Sequence, residues 1–155
     1  MANFDKGAGV KFPPPLVHVG WMIIGAVLQK FFPTDMGIPI DHQYWGLGMV
    51  MGGFLLLFYI HKIFQKAKTN IKPWKPTSNI ITTGIYAYSR NPIYVAFNIF
   101  PIGLGIFFDN LWVLGSFLPA AFTIYYIAIK KEETYLETTF GEEYLDYKKK
   151  VRRWI

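Results

Sequence analysis

Four apolar runs constrain this chain more than any other feature. They are LVHVGWMIIGAVLQKFF (16–32), YWGLGMVMGGFLLLFYI (44–60), IYVAFNIFPIGLGIFF (93–108) and LWVLGSFLPAAFTIYYIAI (111–129). At 1.5 Å per residue each is near the lower length that crosses a bilayer. Charged residues are only 17% of the chain, against roughly 25% in an ordinary soluble domain. The expected fold class is therefore all-α. It is a polytopic integral membrane protein with about four transmembrane helices and a C-terminal cytoplasmic amphipathic helix, forming a single membrane domain over 1–155.

The third run carries Pro101, Gly103 and Gly105, and only Asp109 and Asn110 part it from the fourth. The two read as a tight helical hairpin, either crossing fully or re-entrant and covered by protein. Charge supports four crossings. Lys6, Lys11, the 62–90 loop and the 130–153 tail hold nearly all the cations, whereas Lys30, Asp35, Asp41 and Asp109 fall on the other side. The positive-inside rule then puts both termini and the 62–91 loop in the cytoplasm. Trp21, Trp45, Trp74 and Trp112 are candidates for the interface belts. Asp5, Lys6 and Pro13–Pro15 argue against a signal peptide. In the second run Gly48 and Gly52, with Gly46 and Gly53 nearby, predict a close-packing face. That face serves contact within one chain or a dimer seam, so monomer and homodimer both stay open.

Absences narrow the chemistry. There is no cysteine, which excludes disulfides, thiolate nucleophiles and cysteine-ligated metal. His18, His42 and His61 lack metal-ligand spacing and read as helix-end or buried polar residues. The net charge of +6 fits anionic headgroups, with no nucleic-acid motif present. Asn98, inside the third run, contacts a helix neighbour or lines a cavity.

Thr82, Thr83 and Gly84 predict a turn, followed by Tyr86 and Tyr88 alternating along a short extended piece. Asn91 suits a helix cap and Pro92 the first helical position. In the tail, Ile129, Glu133, Leu136, Phe140, Tyr144, Tyr147 and Val151 recur every three or four residues. That is an amphipathic pattern, either continuous with the fourth span or broken near Gly141. A carboxylate in that apolar row needs a partner or a ligand. Arg90, just before a helix start, offers a fixed forked donor set for a carboxylate or phosphate. The bland reading makes it a headgroup-snorkelling arginine. Glu132 and Glu133 can accept from an amine or ribose hydroxyls, with Glu133 otherwise in a structural ion pair with Arg90 or a lysine. Tyr88, Tyr94 and Tyr135 offer flat faces and hydroxyls.

TTGIYAYSRNPIYVAF, the apolar hairpin and KKEETYLETTFGEEYLDYKKKVRRWI together resemble a family of membrane methyltransferases. It includes isoprenylcysteine carboxyl methyltransferases and phospholipid N-methyltransferases. The resemblance covers 82–153, and the first two runs match only in general character. It implies S-adenosylmethionine as cofactor, held by the last spans and the tail, and a lipophilic acceptor arriving from bilayer lipid, such as a carboxylate, amine or thiol. Tyr88, Arg90, Asn91, Pro92, Tyr94, Glu132, Glu133 and Leu136 are the implied cofactor residues. Asn91 stands where many relatives have histidine and cannot titrate near neutral pH. Arg152 or Arg153 is implied at the acceptor, with lipid anchoring as the bland reading. Glu143 or Tyr147 would orient the acceptor or take its proton, although Glu143 also fits a solvated helix face. The rival readings are a non-enzymatic membrane ligand-binding or assembly protein and a membrane reductase.

Overall fold

The computed structural model describes residues 7–155; Asp5 and Lys6, used above for leader and charge placement, lie outside them. Regular structure among the described residues is helical throughout, as the apolar runs predict. The helices are α1 (Pro14–Phe31), α2 (Ile40–Lys66), α3 (Pro92–Phe107), α4 (Leu111–Gly115), α5 (Phe117–Ile124), α6 (Lys130–Phe140) and α7 (Glu142–Lys150). A π turn, Tyr125–Ile129, joins α5 to α6, and a 3-10 turn covers Gly84–Ala87.

Local chemistry sets the boundaries. α1 starts on prolines, whose missing amide is no loss in a first turn. The α3 start at Pro92 follows the same logic. Asn110 caps α4 by accepting from the Val113 amide at 3.0 Å. Gly141 ends α6 at φ 54°, a conformation that costs glycine little. The tail thus combines the two expected forms: it continues out of the 111–129 run and breaks at Gly141.

Two helical stretches, Ile40–Lys66 and Leu111–Phe140, are long and apolar enough to cross a membrane. Little of either is covered by protein: 17% and 33% of their most apolar windows are buried. Trp45, Met51, Phe54, Leu55, Phe58, Leu118 and Phe122 stand exposed. An apolar surface of that extent fits lipid rather than water, and it gives the chain integral-membrane character.

The chain forms two compact units. One is drawn from Pro13–Leu57 and Tyr94–Ile124, the other from Phe58–Ile93, Tyr125–Ile155 and N-terminal residues up to Phe12. In the first, α1 packs on α4 and α5. Trp112 Nε1 donates to the Phe32 carbonyl at 2.8 Å, and Trp21 Nε1 donates to Thr123 Oγ1 at 3.1 Å. His18 is buried with Nε2 at 3.2 Å from Asn98 Oδ1, so Asn98 contacts a helix neighbour. Asp109, at φ 48°, accepts from the amides of Met36, Gly37 and Ile38 at 3.0–3.3 Å, pinning the α1–α2 connection to the hairpin turn.

Two local expectations are corrected. Within the chain the close-packing glycines of α2 are Gly46 and Gly53, not Gly48 and Gly52. A Cβ on Gly46 would strike the Gly103 carbonyl and one on Gly53 would meet the Phe100 ring, whereas Gly48 and Gly52 have nothing within 4 Å. A spacing of seven returns to one helix face as two turns do, and that face meets α3. The extended piece around Tyr86 and Tyr88 is instead the 3-10 turn. Gly84 sits at φ 64°, and the Tyr86 and Tyr88 amides donate back to the carbonyls of Thr83 and Ile85, each at 3.2 Å.

Candidate functional site

The site lies within the second unit, where the motif before α3, the start of α6 and the last residues of the chain meet. The 3-10 turn buries Tyr86, whose ring meets Phe64 edge-on at 5.9 Å between centroids. Its end presents Ser89, Arg90 and Asn91, with Ser89 and Asn91 buried.

α7 delivers the other side. Its buried face carries Tyr144 and Tyr147. At Val151 the backbone turns extended, φ −118° and ψ 133°, and runs alongside the motif. The Arg90 amide donates to the Arg152 carbonyl at 3.0 Å. Asn91 Nδ2 donates to the Arg153 carbonyl at 3.0 Å, and Ser89 Oγ donates to the same oxygen at 3.5 Å. Tyr147 donates its hydroxyl proton to the Tyr86 carbonyl at 2.7 Å.

Glu133 is the centre of charge. It is buried on α6, one turn past the π turn from which that helix continues. Arg153 forks onto it, Nε to Oε1 at 2.9 Å and Nη2 to Oε2 at 3.0 Å. The Arg153 guanidinium also lies 5.0 Å over the Tyr125 ring. Its grip on Glu133 raises the Arg153 pKa further above its ordinary value, burial opposing. Arg90 Nη2 approaches Glu133 Oε1 at 3.3 Å.

Arg90 is not satisfied by this. Its side chain is only 7% exposed, yet Nε and Nη1 have no hydrogen-bond partner. Leaving charged donors buried and unpaired costs on the order of 1–3 kcal/mol or more. Two guanidiniums and one carboxylate leave one net positive charge, and the unused donors lie on Arg90. That arrangement suits a single anionic group, a carboxylate above all.

The phenols around it are held neutral. Burial pushes Tyr144 up to about 12, with Glu133 adding to the rise and Arg90 opposing it. Burial also raises Tyr147, as does its neighbour Tyr144, and raises Tyr86 well above its ordinary value.

Among the sequence-derived candidates, Arg90, Asn91, Glu133, Arg153 and Tyr147 come together here. Pro92 is buried at the head of α3, and Glu132 and Leu136 are half-buried on α6. Tyr94 is buried in the other unit. Tyr88 is exposed, as are Glu143 and the Arg152 side chain. Arg153, expected at the acceptor, is engaged by Glu133. Tyr144 and Ser89 were not singled out. Tyr144 already stood in the tail's three-to-four-residue row, whereas nothing in the sequence marked Ser89.

A relative from Schizosaccharomyces pombe, a protein-S-isoprenylcysteine O-methyltransferase, is 38% identical over 46% of this chain and 30% of its own length. The Homo sapiens protein of the same name is 35% identical over 68% of this chain and 38% of its own length. The matches thus span well under half of these relatives. A solved eukaryotic intramembrane Ras methyltransferase, isoprenylcysteine carboxyl methyltransferase, superposes with a TM-score of 0.67 over 90% of this chain and 50% of that one. At 24% identity it speaks to the fold alone. The phospholipid methyltransferase family model matches residues 42–143, and the chain belongs to that family.

Proposed function

We propose that the chain is an S-adenosylmethionine-dependent methyltransferase acting on a lipophilic or membrane-associated acceptor. One observation carries the reading: Arg90 holds two buried, unpartnered N–H groups beside a carboxylate already locked by Arg153. The cofactor's amino-acid end has the carboxylate that this donor pair lacks, so the residues present fit it. When bound, the cofactor supplies an activated methyl group, and little covalent chemistry is left to side chains.

The chain's own residues then bind and orient. Arg90 holds the carboxylate. Glu133 fixes both guanidiniums and offers an acceptor to the neighbouring ammonium. Tyr86, Tyr144 and Tyr147 keep water from the cluster. Tyr88, Pro92, Glu132 and Leu136 complete the cofactor set by family likeness. Arg152 and Glu143, both exposed, are the groups we assign to the acceptor. Tyr147, with a raised pKa and its hydroxyl committed to Tyr86, holds position rather than taking a proton.

We further propose four membrane crossings, at 16–32, 44–60, 93–108 and 111–129, with both termini and the site facing the cytoplasm and the tail helices against the membrane surface. The charge distribution supports this. The chain lacks cysteine, so single cysteines at Lys68, Lys149 and Asp35 give a clean labelling test. The first two should react from the cytoplasmic side and the third from the opposite side.

The function is tested with the purified chain in detergent, titrated with S-adenosylmethionine. Binding is expected, followed by transfer of a labelled methyl group to a prenylcysteine carboxylate, a phospholipid amine or a lipophilic thiol. A folded sample that binds no cofactor would sink the reading in favour of a non-enzymatic ligand-binding or assembly role.

A further inference from the structure

We infer that Asn91 is a positioning residue: it ties the chain's last residues to the motif before α3 and so holds Arg153 on Glu133 and Arg90 ready for its anion. This rests on the proposed function for its second half and on geometry for its first.

The geometry is a short strap. After α7 the chain runs extended from Val151. Two bonds fasten the strap from opposite kinds of donor. The Arg90 backbone amide reaches the Arg152 carbonyl at 3.0 Å, and the Asn91 side-chain amide reaches the Arg153 carbonyl at 3.0 Å. Ser89 Oγ, at 3.5 Å from that carbonyl, also accepts from the Asn91 backbone amide at 3.1 Å. Ser89 and Asn91 are both buried, so the Arg153 carbonyl has little water to fall back on.

The strap matters because of what Arg153 does one bond away. Its backbone oxygen is held by Asn91 while its side chain forks onto Glu133. Releasing the oxygen frees the last residues, and the guanidinium then loses its fixed origin. Glu133 would be left with Arg90 as its one guanidinium partner and would draw that side chain closer. The donors that the cofactor carboxylate needs would then be turned inward. Asn91 thus acts on the ligand through the tail and Glu133.

Asparagine also makes the fastening independent of pH. Its amide donates in every protonation state, whereas a histidine donates through one ring nitrogen when neutral and two when charged. Aspartate is the sharp test, since it keeps the shape but cannot donate, and its charge would face a carbonyl oxygen and compete for Arg153.

The experiment compares wild type, Asn91→Asp and Asn91→His as full-length protein in detergent. It reads S-adenosylmethionine affinity and deuterium uptake at residues 151–155. In Asn91→Asp, faster tail exchange and roughly tenfold weaker cofactor binding are expected, the size of one lost charge-linked bond. Asn91→His at pH 8 should restore both. If Asn91→Asp does not fold, Asn91→Ala removes the same donor with no added charge and takes its place.

A protected tail with unchanged affinity would overturn the inference. So would a released tail with unchanged affinity, which leaves Asn91 merely structural, or lost affinity with a protected tail, which makes it a direct ligand contact. A wild-type chain that binds no cofactor overturns the proposed function and the positioning role with it; tail exchange then judges the strap by itself.

Discussion

Arg153 meets Glu133 through two parallel N–H···O bonds of 2.9 and 3.0 Å, although 20 residues separate them. The bidentate form fixes distance and plane together, which a lysine in place of Arg153 would not. Glu133 therefore has both oxygens engaged before any ligand arrives, and Arg90 faces the site with donors to spare.

Arg90→Ala should lower S-adenosylmethionine affinity by about two orders of magnitude, the loss of hydrogen bonds to a charged group. Arg90→Lys should recover only part, because a point charge cannot present the fork. Equilibrium binding in detergent measures both, and unchanged affinity in Arg90→Ala would remove the residue from the carboxylate clamp.

Glu133→Gln leaves the buried Arg90 guanidinium and the half-exposed Arg153 guanidinium facing a neutral group. It should cost about 3 kcal/mol of stability, typical for breaking a buried pair from one side. Glu137→Gln is the control. Glu137 pairs with Lys148 on a half-exposed face, and its loss should cost about 0–1 kcal/mol. Chemical unfolding of both variants in one detergent reads the contrast.

Gly46→Ala should destabilise the chain by about 1–3 kcal/mol, since the new methyl drives into the Gly103 carbonyl. Gly48→Ala meets nothing within 4 Å. It should be neutral or stabilising by up to about 1 kcal/mol from helix propensity. Equal losses at both positions would mean that Gly48 is covered in the working protein.

Tyr144 ties stability to alkaline pH. Its folded value of about 12 lies above the ordinary 10.0, so the folded state favours the neutral phenol. The stabilisation is complete below about pH 10 and is lost as pH rises through about 12. Absorbance titration should show a late tyrosinate step coupled to unfolding. In Tyr144→Phe that step should shrink by one phenol, with Tyr147 and Tyr86 still titrating late.

Much of this was legible before any coordinates. Apolar runs with few charges announce membrane helices because a bilayer tolerates little else. A glutamate in an apolar row implies a partner because burying it alone is so costly. The identity of that partner was less readable. The break at Gly141 was legible, but the pairing of Arg153 with Glu133 across 20 residues is a tertiary event with no local signature. Tyr86 and Tyr88 mimic a strand because alternation and a 3-10 turn cannot be told apart over three residues; the positive φ of Gly84 decides it. Gly48 and Gly52 drew attention because a spacing of four is a familiar packing pattern, yet the face that meets α3 was chosen by Gly103 on the other helix.

The π turn at Tyr125–Ile129 sets the rotational phase of everything after it. Wider than an α turn, it accommodates one surplus residue, and a single residue amounts to about 100° of helical rotation. Removing that surplus would swing Glu133 away from Arg90, which precedes the turn, and bring an adjacent side chain of α6 around in its place. The charge at the centre of the cluster thus owes its aim to an irregularity one turn upstream.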